Sequence, residues 1–172
     1  MKLPLNYLNQ FDTECNDIIS TVDSIATTYT ERLDECIEEV QDLIKNKDDL
    51  TIEQINFYII QIPILLYELH DKMQNLGVKG DAAKMQRKNQ YNKAYQDQEN
   101  GTVAQKTSVA QEACKDEQMI EDIFGRVYKK CENKIDIATM LHGSLKKILQ
   151  WRVSELEVTR TNTFSNNMLG GF

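Results

Sequence analysis

The chain of 172 residues, 27% charged and 41% hydrophobic, is long enough for one domain, or one domain with an arm, and too short to add a separate catalytic domain. Seven glycines and two prolines are few, and the share of Glu, Gln, Lys, Leu, Ile and Ala predicts an all-α fold rather than a sheet. A net charge of -7 argues against nucleic acid, but residues 1–78 hold 15 acids and 5 bases while residues 79–172 hold 12 acids and 15 bases, so the halves differ in the partners they suit.

The first element is marked by Cys15, Ile18, Val22, Ile25, Tyr29, Leu33, Cys36, Val40 and Leu43. Their steps of three and four make a heptad seam with one stutter near Tyr29, which predicts a long helix packed lengthwise with acidic outer faces. Lys45–Leu50 reads as a turn, and Thr51 with Gln54 is a capping-box signature for the next helix. That helix carries the most hydrophobic run, Ile55–Leu69, shorter than the roughly 20 residues of a membrane span and interrupted by Asn56, Gln61, Pro63 and Glu68. It is expected to be a core or subunit-interface helix, kinked at Pro63 and ended by Gly77 and Gly80.

Asp81 then stands as a cap for a third helix, from Ala82 to about Gln98, stopped by Asn100-Gly101. Thr102 and Gln105 form a second capping-box signature, and from Val103 to about Val158 no proline intervenes, which predicts one long helix. Its first part bears small residues (Val103, Ala104, Val109, Ala110, Ala113, Cys114), suited to close return in an αα-hairpin. From Ile120 the seam becomes large, through Phe124, Val127, Cys131, Ile135, Ala138, Leu141, Leu145 and Ile148. Gly125 and Gly143 are read as places where a neighbour approaches closely.

Long helical hairpins with coiled-coil-like seams at 15–43, 55–69 and 120–148 carry more apolar stripe than one hairpin covers, which predicts a homo-oligomer. Phe124, Cys131, Leu141, Leu145 and Ile148 are its expected interface. Thr161–Phe172 loses periodicity and is expected to be a flexible tail. The resulting organisation is an acidic arm over 1–78, a core over 79–160 and a tail over 161–172.

Phosphate-loop, dinucleotide and zincin motifs are absent from the sequence, and His70 and His142 are isolated. Cys15, Cys36, Cys114 and Cys131 lack C-x-x-C spacing and read as core hydrophobes of a reduced compartment. The start, M-K-L-P-L-N-Y-L, has no continuous apolar stretch of the signal-peptide kind. The expectation is a cytoplasmic, non-enzymatic protein with no metal, no cofactor and no membrane span.

The chemical lead is K-M-Q-R-K-N-Q-Y-N-K-A-Y, residues 84–95. Lys84, Lys88, Tyr91 and Tyr95 recur at helical spacing on one face; with Arg87 and Lys93 they make a candidate interface for single-stranded nucleic acid. Cations neutralise phosphates, and tyrosine rings give surfaces on which unpaired bases stack. The same spacing also fits tyrosines packed on a neighbouring helix with solvated lysines beside them.

The order of a basic, tyrosine-bearing helix (R-K-N-Q-Y-N-K-A-Y), an N-G-T break and a long amphipathic helix ending in K-K-I-L-Q-W-R-V-S-E-L resembles phage recombination mediators of the UvsY type over residues 80–158. That resemblance implies a ring-forming helical oligomer that binds single-stranded DNA and contacts a recombinase and a single-strand-binding protein, loading the first while displacing the second. It puts the mediator's basic residues at Arg87 and Lys88, with Tyr91 and Tyr95 following. The acidic first 78 residues depart from the pattern and suit an added docking arm. A helical interaction module, such as a phage assembly factor, a chaperone or an inhibitor of a host enzyme, accounts for everything but the basic and aromatic face.

Overall fold

A computed structural model describes the backbone of residues 5–45 and 50–169 and the side chains of 12–45 and 50–159. Among the described residues there are four helices and no strand: α1 Leu5–Lys45, α2 Ile52–Asp97, α3 Val103–Ala113 and α4 Lys115–Leu169. The all-α expectation holds. No helix among the described residues is long and apolar enough to cross a membrane.

Both capping boxes form. At the start of α2 the Thr51 backbone N–H donates to Gln54 Oε1 (2.8 Å) and the Gln54 N–H to Thr51 Oγ1 (3.2 Å). At α3 the Thr102 N–H donates to Gln105 Oε1 (2.9 Å) and the Gln105 N–H to Thr102 Oγ1 (3.4 Å). Each pair satisfies two backbone donors that a helix start otherwise leaves open. Just before Thr102, Gly101 takes φ +139°, where side-chain-bearing residues are strained, so the chain turns there.

Other helix ends differ from the sequence expectation. α2 runs unbroken through Gly77, Gly80 and Asp81, because two interior glycines cost only about 1 kcal/mol each and the buried Leu76 and Ala83 on either side hold the helix. Conversely, the long helix expected from Val103 is interrupted at Cys114, whose N–H reaches back to Gln111 O at 3.4 Å while its thiol donates to the same carbonyl. Cys114 is buried, and no glycine or proline in the sequence announces this joint. α4 extends to Leu169; the expected tail is helical as far as that residue, since Thr, Asn and Ser disfavour a helix weakly and the first glycine is Gly170. Residues 170–172 and most of the expected turn at 45–50 lie outside the described residues.

The chain divides into two compact units, Met1–Thr30 with Leu69–Asn133, and Glu31–Glu68 with Lys134–Phe172. Residues of the acidic stretch 1–78 contribute to both units. In the first unit the core is built from Val22, Ala26 and Thr30 of α1, Leu69, Met73, Leu76 and Ala83 of α2, Ala110 of α3, Cys114, and Val127 and Cys131 of α4. Buried Thr30 donates its hydroxyl to Ala26 O at 3.2 Å, so its polar atom is satisfied inside the helix. Lys130 pairs with Asp23 at the margin of this core.

In the second unit Leu33, Cys36, Ile37 and Val40 of α1 are buried with Ile55, Tyr58, Ile62 and Leu65 of α2 and Ala138 and Leu145 of α4. Full burial of each large aliphatic contributes about 1.5–3 kcal/mol. Lys134 pairs with Asp34, Arg32 with Glu68 at 2.5 Å, and Arg152 donates to Leu50 O. Burial, reinforced by the Glu39 carboxylate, pushes the Cys36 thiol pKa up, and the same two causes raise the Tyr58 phenol, whose hydroxyl donates to Glu39 at 3.5 Å.

The expected oligomer interface is largely covered within one chain. Cys131 and Leu145 are fully buried, and Phe124, Leu141 and Ile148 are half-buried. Ile120, the first residue of that seam, is exposed instead. A Cβ built on Gly125 or Gly143 meets nothing within 4 Å, so no other part of the chain approaches closely there.

Candidate nucleic-acid interface

The candidate face lies on the last part of α2, within the first unit. At about 100° per residue, Lys84, Lys88, Tyr91 and Tyr95 fall within roughly 60° of one another. They run along the edge of the buried side of α2 set by Leu76 and Ala83. Lys84 and Lys88 are exposed, and Tyr91 and Tyr95 are half-buried.

The two tyrosine rings are stacked, their centroids 6.2 Å apart and their planes 17° from parallel. One turn of helix separates them, so the stack follows directly from the i, i+4 spacing. Near-parallel rings that keep part of their surface open, with two lysines along the same edge, can take a base on an aromatic face and its phosphates on the cations.

Two members of the expected set stand apart. Arg87 is half-buried and faces Glu121 of α4, with Nε 2.5 Å from Oε2; its charge is met within the chain. Lys93 is exposed but lies roughly 180° from Lys84 around the helix, so one strand lying along the tyrosine edge does not reach both.

Sequence reasoning passed over Arg126. It is exposed on α4 in the same unit, where with Lys129, Ile18 and Ile19 it lines an open groove of about 260 Å³. Its signal is one residue at i−3 from Lys129, indistinct from an ordinary solvated face. Among the described residues no group of His, Cys, Asp and Glu is arranged to hold a metal ion. His70 is exposed, and His142 is half-buried.

No family profile, no curated protein and no solved structure matches the chain.

Proposed function

We propose that the protein is a non-catalytic recombination mediator of the phage type, a cytoplasmic homo-oligomer that binds single-stranded DNA along the α2 edge and helps to load a recombinase in place of a single-strand-binding protein. The observation that carries the DNA-binding part is the parallel Tyr91–Tyr95 stack beside exposed Lys84 and Lys88. Stacking reads the π-face that every base has, so it suits a protein that coats single strands without choosing a sequence. The loading role rests on the resemblance to mediators of the UvsY type.

A protein-interaction module is the second reading, favoured by the Arg87–Glu121 pair, which engages one of the expected cations within the chain. Counterion release separates the two. With Lys84 and Lys88 each meeting one phosphate, log affinity for a labelled single strand falls against log salt with a slope of about -1.4 per chain, about sevenfold between roughly 50 and 200 mM. Lys84→Ala with Lys88→Ala flattens that slope. Absence of single-strand binding at low salt sinks the mediator reading and leaves the interaction module.

A further inference from the structure

In the unit formed by residues 31–68 and 134–172, Phe57, Ile60, Ile64 and Tyr67 of α2 are 57%, 64%, 48% and 77% exposed. Their spacing of three, four and three places them within about 80° on one side of the helix. The opposite side carries the buried Ile55, Tyr58, Ile62 and Leu65. α2 is thus apolar on two faces, and the unit's own core covers one of them. Scattered apolar residues on a surface are ordinary, but a contiguous stripe of four large ones marks a contact surface.

We propose that this stripe is the contact surface for a second copy of the chain, with the two α2 segments antiparallel about a two-fold axis that crosses the contact at the level of residue 62, midway between Ile60 and Ile64. The order aromatic, isoleucine, isoleucine, aromatic reads the same in both directions with the same spacing. A two-fold contact requires that property, since whatever one residue meets must meet it in return. Antiparallel pairing sets Phe57 opposite the second copy's Tyr67, and Ile60 opposite the second copy's Ile64.

Area and charge agree with this occupant. Fully exposed aromatic residues offer on the order of 200 Å² each, and with isoleucine slightly smaller the exposed fractions leave about 500 Å² per copy, or about 1,000 Å² for the pair, the lower bound for a specific interface. Residues 52–68 contain no lysine or arginine, so the stripe offers nothing to a phosphate or an anionic surface. The inference assigns a face to the oligomer of the proposed function and makes no use of DNA binding. Loss of either therefore leaves the other readable.

The test is the mass of the full chain by light scattering at micromolar concentration without DNA, with circular dichroism as the control for folding. Wild type is expected at twice the 19.9 kDa of one chain. Ile60→Glu alone, or Ile64→Lys alone, is expected at one chain with unchanged helicity, because exposed positions bear substitution at a cost within about 0.5 kcal/mol. Combining Ile60→Glu and Ile64→Lys restores the two-chain mass, since each introduced acid then faces the other copy's introduced base. A wild-type mass of one chain or of an odd number of chains overturns the proposal, as does any mass that Ile60→Glu leaves unchanged. A double variant that stays monomeric overturns the antiparallel register.

Discussion

Arg87 of α2 and Glu121 of α4 face each other with Nε 2.5 Å from Oε2, both side chains half-buried. The pair joins the helix that carries the candidate DNA face to the helix that covers its inner side. An arginine at such a position acts first on the packing of these two helices. Removing it leaves a half-buried carboxylate without its cation, a loss between that of a surface pair and that of a buried one, about 1–2 kcal/mol. Arg87→Ala is therefore expected to lower the denaturation midpoint while the salt slope of DNA binding stays as in wild type. A variant with unchanged stability and weakened DNA affinity would assign Arg87 to phosphate instead.

Tyr91 distinguishes the two readings of the aromatic pair. Where the ring stacks on a base, Tyr91→Ala weakens single-strand affinity by about 1–3 kcal/mol and leaves the salt slope alone, because stacking releases no counterions. Tyr91→Phe keeps the ring and most of the affinity. A Tyr91→Ala variant that loses thermal stability but binds as wild type would place the ring in the packing of the first unit. Anisotropy titrations of all three proteins at two salt concentrations, beside thermal melts, decide it.

Two helix starts were legible because a capping box is a local event: Thr51 with Gln54 and Thr102 with Gln105 sit three residues apart and satisfy each other's backbone. Interruptions were not, because they depend on what covers the helix. Gly77 and Gly80 read as an end yet lie inside α2, while the break falls at Cys114, whose N–H turns back to Gln111 O. The α1 seam was legible in part: Val22, Leu33, Cys36 and Val40 are buried as its spacing marks them, whereas Ala26, Thr30 and Ile37 are buried outside it. Ala26 and Thr30 are fully buried where Ile25 and Tyr29 beside them are half-buried, since the tightest approach between helices takes the smaller side chain. In the expected oligomer interface a seam shows only that a stripe needs cover; the fold shows that the same chain supplies it at Cys131 and Leu145, while Phe124, Leu141 and Ile148 stay half-buried. At the candidate site the period of the helix gave the Lys84, Lys88, Tyr91 and Tyr95 edge, and the same period sets Lys93 apart. Glu121, which engages Arg87, lies on another helix, so no spacing could reveal it.

The environment of Cys36 makes stability depend on alkaline pH. Its thiol and the Tyr58 phenol both titrate higher in the folded chain than in the unfolded one, chiefly through burial and then through Glu39. The folded state therefore binds more protons, and unfolding free energy falls as pH rises through the ordinary thiol range near about 8.5 and then the phenol range near about 10. Denaturation midpoints are expected to decline across that window, and Cys36→Ser combined with Tyr58→Phe to flatten the decline. In the same range Cys15, half-buried, is expected to react with a thiol reagent before Cys36, Cys114 and Cys131, which are buried. Equal rates at all four would contradict the burial assigned to them.

Gly77 lies inside α2, and Gly125 and Gly143 inside α4, where a Cβ would meet nothing within 4 Å and no left-handed backbone requires glycine. Alanine at such a position restricts the unfolded chain and favours the helix without a clash, which stabilises by about 0.4–1 kcal/mol. Gly77→Ala, Gly125→Ala and Gly143→Ala are each expected to raise the denaturation midpoint, and their combination to add nearly in full because they share no contact partner. Gly101 is the contrasting control. With φ at +139°, Gly101→Ala is expected to destabilise the turn between α2 and α3. Destabilisation by Gly125→Ala or Gly143→Ala would mean that another molecule approaches α4 there, and would be expected to coincide with a change in solution mass.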